Sequence, residues 1–117
     1  MSRTVLVVDD HAAFRALARQ VLEGRAFSVV GEAASAAQGL AMTQELHPDV
    51  VILDVGLPDG NGFDVAGDLM RTTPPPAVLL VSSRDWGQVS RRVRASGACG
   101  FLPKEDLSQA AVEAMLT

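Results

Sequence analysis

The sequence predicts one doubly wound α/β domain, a five-stranded parallel sheet with helices on both faces. Three observations carry that expectation. Five apolar runs, at residues 5–8, 27–31, 50–54, 77–81 and 98–102, lack the polar alternation of a sheet with one wet face. Most of the stretches between them place apolar residues at helical spacing. Gly, Pro, Asn and Ser punctuate the changes from one pattern to the other. Strand and helix thus alternate five times, and right-handed crossovers fix most of the topology.

The first strand ends in Asp9-Asp10. Phe14, Leu17, Ala18, Val21 and Leu22 then form an apolar stripe, with Arg15, Arg19, Gln20 and Glu23 turned elsewhere and Gly24 suited to the stop. After a short second strand, Ser35 is placed to cap a helix carrying Ala36, Ala37, Leu40 and Ala41, which ends before His47-Pro48. The third strand delivers Asp54 and breaks at once into a loop containing Gly56, Gly60 and Gly62, which predicts a pliable connection. Phe63, Ala66, Leu69 and Met70 mark the third helix, ended by Thr73-Pro74-Pro75-Pro76. The fourth strand finishes in Ser82-Ser83, and Asp85 can cap a helix carrying Trp86, Val89 and Val93. The fifth strand contains Cys99, read as a small buried residue, and closes on Pro103-Lys104. Leu107, Ala110, Ala111, Ala114 and Met115 give the last helix and leave Val112 and Leu116 off the core stripe.

At 117 residues and 48% hydrophobic, the chain has the size and apolar content of one domain, residues 1–117, with no output domain expected in it. Ten Lys and Arg against 14 Asp and Glu give a net charge of −4, which argues against this chain binding nucleic acid. No stretch approaches the ~20 apolar residues of a membrane span, and residues 1–4 are too short and polar for a secretion signal. The single cysteine cannot form an internal disulfide. A cytoplasmic domain without a membrane partner is expected.

In an open parallel α/β sheet, ligands bind beyond the carboxyl ends of the strands. There the sequence places Asp9, Asp10, Asp54, Ser82 and Lys104. Three carboxylates in one pocket repel, by about 4 kcal/mol per pair ~4 Å apart at an effective dielectric of ~20, so the cluster calls for a cation. Hard oxygen ligands suit Mg²⁺ (or Mn²⁺). Carboxylates, a divalent cation, a lysine and a hydroxyl together suit phosphoryl transfer, and an Asp carboxylate can itself be the nucleophile.

The order Asp9-Asp10, Asp54-x-x-Leu57-Pro58-x-x-Asn61-Gly62, Ser82-Ser83 and Gly100-Phe101-Leu102-Pro103-Lys104 resembles the receiver domain of two-component response regulators, over essentially the whole chain. The resemblance is to receivers that precede a helix-turn-helix output domain. It implies the flavodoxin-like, CheY-like strand order 2-1-3-4-5. It also implies that Asp54 accepts phosphoryl from the phosphohistidine of a sensor histidine kinase or phosphotransfer protein. Asp10 would ligate Mg²⁺ directly, Asp9 through water and Gly56 through its backbone carbonyl, with Asp54 completing the metal set. Lys104 would pair with the phosphoryl group, Ser82 would hydrogen-bond it, and Phe101 would be the aromatic switch. Such a domain is not a conventional enzyme, but catalyses its own aspartyl phosphorylation and dephosphorylation. Output is expected through the fourth helix, fifth strand and fifth helix, to a phosphorylation-dependent second copy or an output partner, using Val112 and Leu116.

Glu105 stands where many receivers carry a cis proline, and Gly60 where a bulky apolar residue is common. Gly56 offers Asp54 no shielding side chain, so phosphate lifetime is expected to rest on Gly56 and Arg84. Other functions fit less well. A haloacid-type phosphatase needs a second acid where Gly56 stands, and a nucleotide-binding fold needs a Gly-rich turn where Asp9-Asp10-His11 stands. A receiver acting purely as an interaction module is the alternative.

Overall fold

The computed structural model describes residues 2–83 and 90–116, with the backbone alone at residue 90. In chain order the elements are β1 (Arg3–Val8), α1 (Ala12–Leu22), β2 (Phe27–Ala33), α2 (Ala36–Leu46), β3 (Val50–Asp54), β4 (Gly56–Leu57), β5 (Gly60–Asn61), α3 (Gly62–Leu69), β6 (Ala77–Ser82), α4 (Ser90–Ser96), β7 (Gly100–Pro103) and α5 (Gln109–Leu116). The main sheet runs β2-β1-β3-β6-β7, every pair parallel. Counting only the long strands, this is the expected order 2-1-3-4-5. Among the described residues no helix is long and apolar enough to cross a membrane.

The unbroken apolar strands follow from burial on both faces. Val5, Val7, Val50, Ile52, Leu79, Val81 and Leu102 point to one side, where Phe14, Ala18, Leu22, Leu107 and Val112 cover them from α1 and the α5 region. Leu6, Val8, Val51, Leu53, Val78 and Leu80 point to the other and meet Phe63, Val65, Ala66, Leu69 and Val93. All five residues of β3 are buried, as the middle strand requires.

Several details differ from the sequence reading. In α5 the core contact is Val112, fully buried, with Leu116 half-buried, while Ala110 and Ala114 are exposed. Leu107, Ala111 and Met115 pack against the core as expected, while Ala110 and Ala114 turn outward, because a methyl group barely reaches the sheet and the larger Val112 sets the rotation. The same effect in α2 leaves Ala37 and Ala41 exposed and turns Gly39 and Thr43 inward. Gly39 lies so close to Val8 that an added Cβ would sit 3.0 Å from its methyls. Leu17 and Met70 are exposed, at 48% and 36%. Cys99 is exposed as well, because β7 begins one residue after it. Asp85, Trp86 and Val89 lie outside the described residues.

The edge strand β2 is covered in its plane by Arg19 of α1 and by Glu23, the residue that caps the end of that helix. The Val29 N–H donates to Glu23 Oε2 at 2.7 Å, and its carbonyl accepts from Arg19 Nη1 at 3.1 Å.

Candidate functional site

Sheet register assembles the site. Val8 is paired with Leu53, Asp54 with Val81, and Ser82 with Pro103. Asp9 therefore emerges beside Asp54, Ser82 one step beyond the partner of Asp54, and Lys104 one step beyond the partner of Ser82. Asp9 and Asp54 are almost wholly buried, at 0% and 4% exposure, and Ser82 is buried with them. Lys104 Nζ lies 2.5 Å from Asp9 Oδ2 and 3.7 Å from Asp54 Oδ2. Its ammonium also stands 4.7 Å from the centre of the Phe14 ring, so a residue read as core holds the lysine in place.

Asp9 is fixed on every side. Its N–H donates to the Ala33 carbonyl at 2.9 Å, its Oδ1 accepts from the His11 N–H at 2.8 Å, and its carbonyl accepts from Arg15 Nη1 at 2.7 Å. Asp10 is exposed, and among the described residues its carboxylate is paired with the exposed His11 ring alone, with Nδ1 at 3.2 Å; the same ring atom is 3.0 Å from Asp9 Oδ1. Burial pushes the Asp54 carboxyl above its ordinary value, and the Asp9 charge pushes it further. Lys104 and the Gly56 N–H, 3.3 Å from Asp54 Oδ1, pull it back.

Asp9, Asp10, His11 and Asp54 each offer a ligand atom, all within 4.8 Å of one another. Three carboxylates and one ammonium leave two formal negative charges, and a hard divalent cation fits that oxygen-rich set. The opening is a cleft of about 540 Å³ lined by His11, Asp54, Gly56, Asn61, Ser82 and Ser83 among others.

The loop after Asp54 is tied down rather than pliable. β4 and β5 pair as a short antiparallel hairpin, Gly62 N–H donates to the Val55 carbonyl at 2.8 Å, and Asn61 Oδ1 caps α3 by accepting from Phe63 N–H at 2.7 Å. Gly62 is glycine for close approach, since an added Cβ would lie 2.6 Å from the Asp54 carbonyl oxygen and from Val55 Cα. The Asp59 carboxylate accepts from Ala36 N–H at 2.7 Å and Ala37 N–H at 3.1 Å, clamping the loop to the start of α2. Ser35 caps the same helix, as expected.

A family comparison agrees with this geometry. The sequence pattern of the response regulator receiver domain matches residues 5–116. The chain belongs to that family. As a receiver of two-component signalling it is 30% identical, over 98% of its length and 96% of the other, to the chemotaxis protein CheY of Thermotoga maritima. It is 34% identical over 106 residues to BvgA of Bordetella pertussis, covering 91% of this chain and 51% of that protein. The chain thus spans about half the length of the curated transcription regulators it matches. The signal receiver domain of NarL from Mycobacterium tuberculosis superimposes with a TM-score of 0.86 at 31% identity, over 98% of this chain and 97% of that one.

The structure brings together Asp9, Asp10, Asp54, Ser82 and Lys104 as read from sequence. Phe101 is half-buried against the α2–α4 side of the core, and Arg84 lies outside the described residues. Sequence reasoning missed the Phe14, Arg15 and Asp59 contacts. Only Asp59 left a trace, as an acid in a turn, and nothing in the chain named α2 as its partner.

Proposed function

We propose that this receiver takes a phosphoryl group onto Asp54 from the phosphohistidine of a sensor histidine kinase or a phosphotransfer protein. The observation that carries the reading is a cleft-floor carboxylate set 3.7 Å from a largely buried ammonium, with a second buried carboxylate sharing that ammonium. An Asp54 oxygen attacks phosphorus as the P–N bond breaks and the imidazole leaves. Lys104 offsets charge on the phosphoryl oxygens, and the Ser82 hydroxyl donates to one of them. Asp9, Asp10, Asp54 and the Gly56 carbonyl would hold Mg²⁺ (or Mn²⁺), which when bound neutralises charge on the transferring group.

An added Cβ at Gly56 meets nothing within 4 Å, so no neighbouring atom fills the space that a side chain there would occupy. Phosphate lifetime is then tuned by Gly56 and by Arg84. Ser82 and Phe101 serve as the switch pair linking phosphate to the α4, β7 and α5 side. With Val112 buried, a second copy or an output partner meets that side at exposed residues such as Arg91, Arg94 and Glu113 instead. The cytoplasm, where histidine kinases expose their phosphohistidine, is the proposed location.

The test is incubation with a small phosphodonor and Mg²⁺ followed by intact mass, with Asp54→Ala alongside. One phosphate increment in the wild type and none in Asp54→Ala is expected. An increment that survives Asp54→Ala removes the assignment, and none in either chain favours a pure interaction module.

A further inference from the structure

We propose that Arg15 is a positioning residue for the cation-binding acids, acting through the backbone of Asp9; this rests on the metal role assigned above to Asp9 and Asp10. Arg15 sits in the first turn of α1 with its side chain only 18% exposed. Its Nη1 donates to the Asp9 carbonyl at 2.7 Å, and its Nε pairs with Glu32 Oε1 at 3.2 Å. Glu32 stands near the end of β2, with its second oxygen 2.9 Å from Arg19 Nε, and Arg19 is bonded in turn to the Val29 carbonyl. A side-chain chain thus runs from the edge strand to the peptide between the two acids.

That peptide has little else to orient it on its Asp10 side. The Asp9 carboxylate and N–H are pinned separately. Among the described residues the Asp10 carboxylate meets only the exposed His11 ring. The direction of the Asp10 side chain therefore follows the plane of the Asp9–Asp10 peptide, whose carbonyl Arg15 holds. A guanidinium with two fixed partners can lock such a plane, where a solvated one cannot. Its positive charge also stands behind the acids without occupying the cleft, so it does not compete with a cation for the carboxylate oxygens. Outer groups that orient metal ligands typically change metal affinity by 10- to 100-fold when removed.

The experiment is Mg²⁺ titration of the unphosphorylated full chain by calorimetry, with thermal unfolding in EDTA as the fold control. Arg15→Ala is expected to weaken Mg²⁺ binding by roughly tenfold, Glu32→Gln by a smaller factor, and Arg15→Lys to recover part of the loss. Glu32→Gln keeps the question open to measurement if Arg15→Ala unfolds. Asp10→Ala is the reference. If Asp10→Ala abolishes binding while Arg15→Ala and Glu32→Gln stay within twofold of wild type, the positioning role is refuted and the metal site stands. If Asp10→Ala itself binds Mg²⁺ normally, the metal reading fails, and the Arg15 role with it.

Discussion

Replacing Asp54 with Asn removes the charge and keeps the shape, so it asks what the bare site costs the fold. Lys104, at 3.7 Å, attracts the carboxylate by about 4.5 kcal/mol at an effective dielectric of ~20. Asp9, within 4.8 Å, repels it by about 3.5 kcal/mol on the same scale. The solvent-facing Asp10 adds about 1 kcal/mol of repulsion at the dielectric of water. These contributions nearly cancel, and the desolvation of a carboxylate only 4% exposed decides the sign. That penalty runs to several kcal/mol per ion, part of which an amide also bears. Asp54→Asn should then stabilise the metal-free protein at pH 7 by about 1–2 kcal/mol, or roughly 4–8 °C. Because the Asp54 carboxyl titrates above its unfolded value, ionising it opposes folding. The wild type carries no such penalty below the unfolded pKa of about 4 and acquires it as the pH rises through the folded value. The advantage of Asp54→Asn should therefore be present at neutral pH and vanish in acid. Thermal unfolding in EDTA across that pH range measures it. No gain at pH 7, or a gain that does not change with pH, would refute the reasoning.

Gly62→Ala forces a Cβ into backbone atoms at 2.6 Å and should cost at least about 2 kcal/mol in urea unfolding, whereas Gly60→Ala, with 3.4 Å to the Ala36 Cβ, should fold normally. Val112→Ala deletes two buried methyl groups and should destabilise by about 2 kcal/mol; a near-neutral result would move α5 off the core. Two backbone N–H groups hold the Asp59 carboxyl below its ordinary value, so its contribution is present at neutral pH and lost as pH falls through that lowered value. Asp59→Ala should accordingly lower the melting temperature at pH 7, and by less in acid.

The fold was legible because burial on both sheet faces writes itself as continuous apolar strands, and the site because strand ends must carry its polar groups. Helix rotation was harder to read. Alanine is compatible with either side of a helix, so Ala37, Ala41, Ala110 and Ala114 read as core yet face outward, as does Leu17, while Ala36, Leu40, Ala111 and Met115 meet the core as expected. The loop after Asp54 misled for a different reason. Its glycines suggested freedom, yet Gly62 is small because two backbones meet there, and Asp59 binds a helix 22 residues away in sequence. Arg15 fell on the polar face of α1, and a polar face does not say whether it meets water or a carbonyl.

The covering of β2 bears on how the protein behaves when crowded. An edge strand offers its amides and carbonyls to any strand that drifts alongside, and continuous intermolecular sheets grow from such edges. Here the middle of that edge is occupied by ions of both signs, from Arg19 of α1 and from Glu23 at its end. A newcomer would have to strip a carboxylate from one side of Val29 and a guanidinium from the other before adding a single rung. Concentrated solutions should stay free of fibrils templated on this strand, and substituting Arg19 together with Glu23 by alanine is the change that would expose them to that risk.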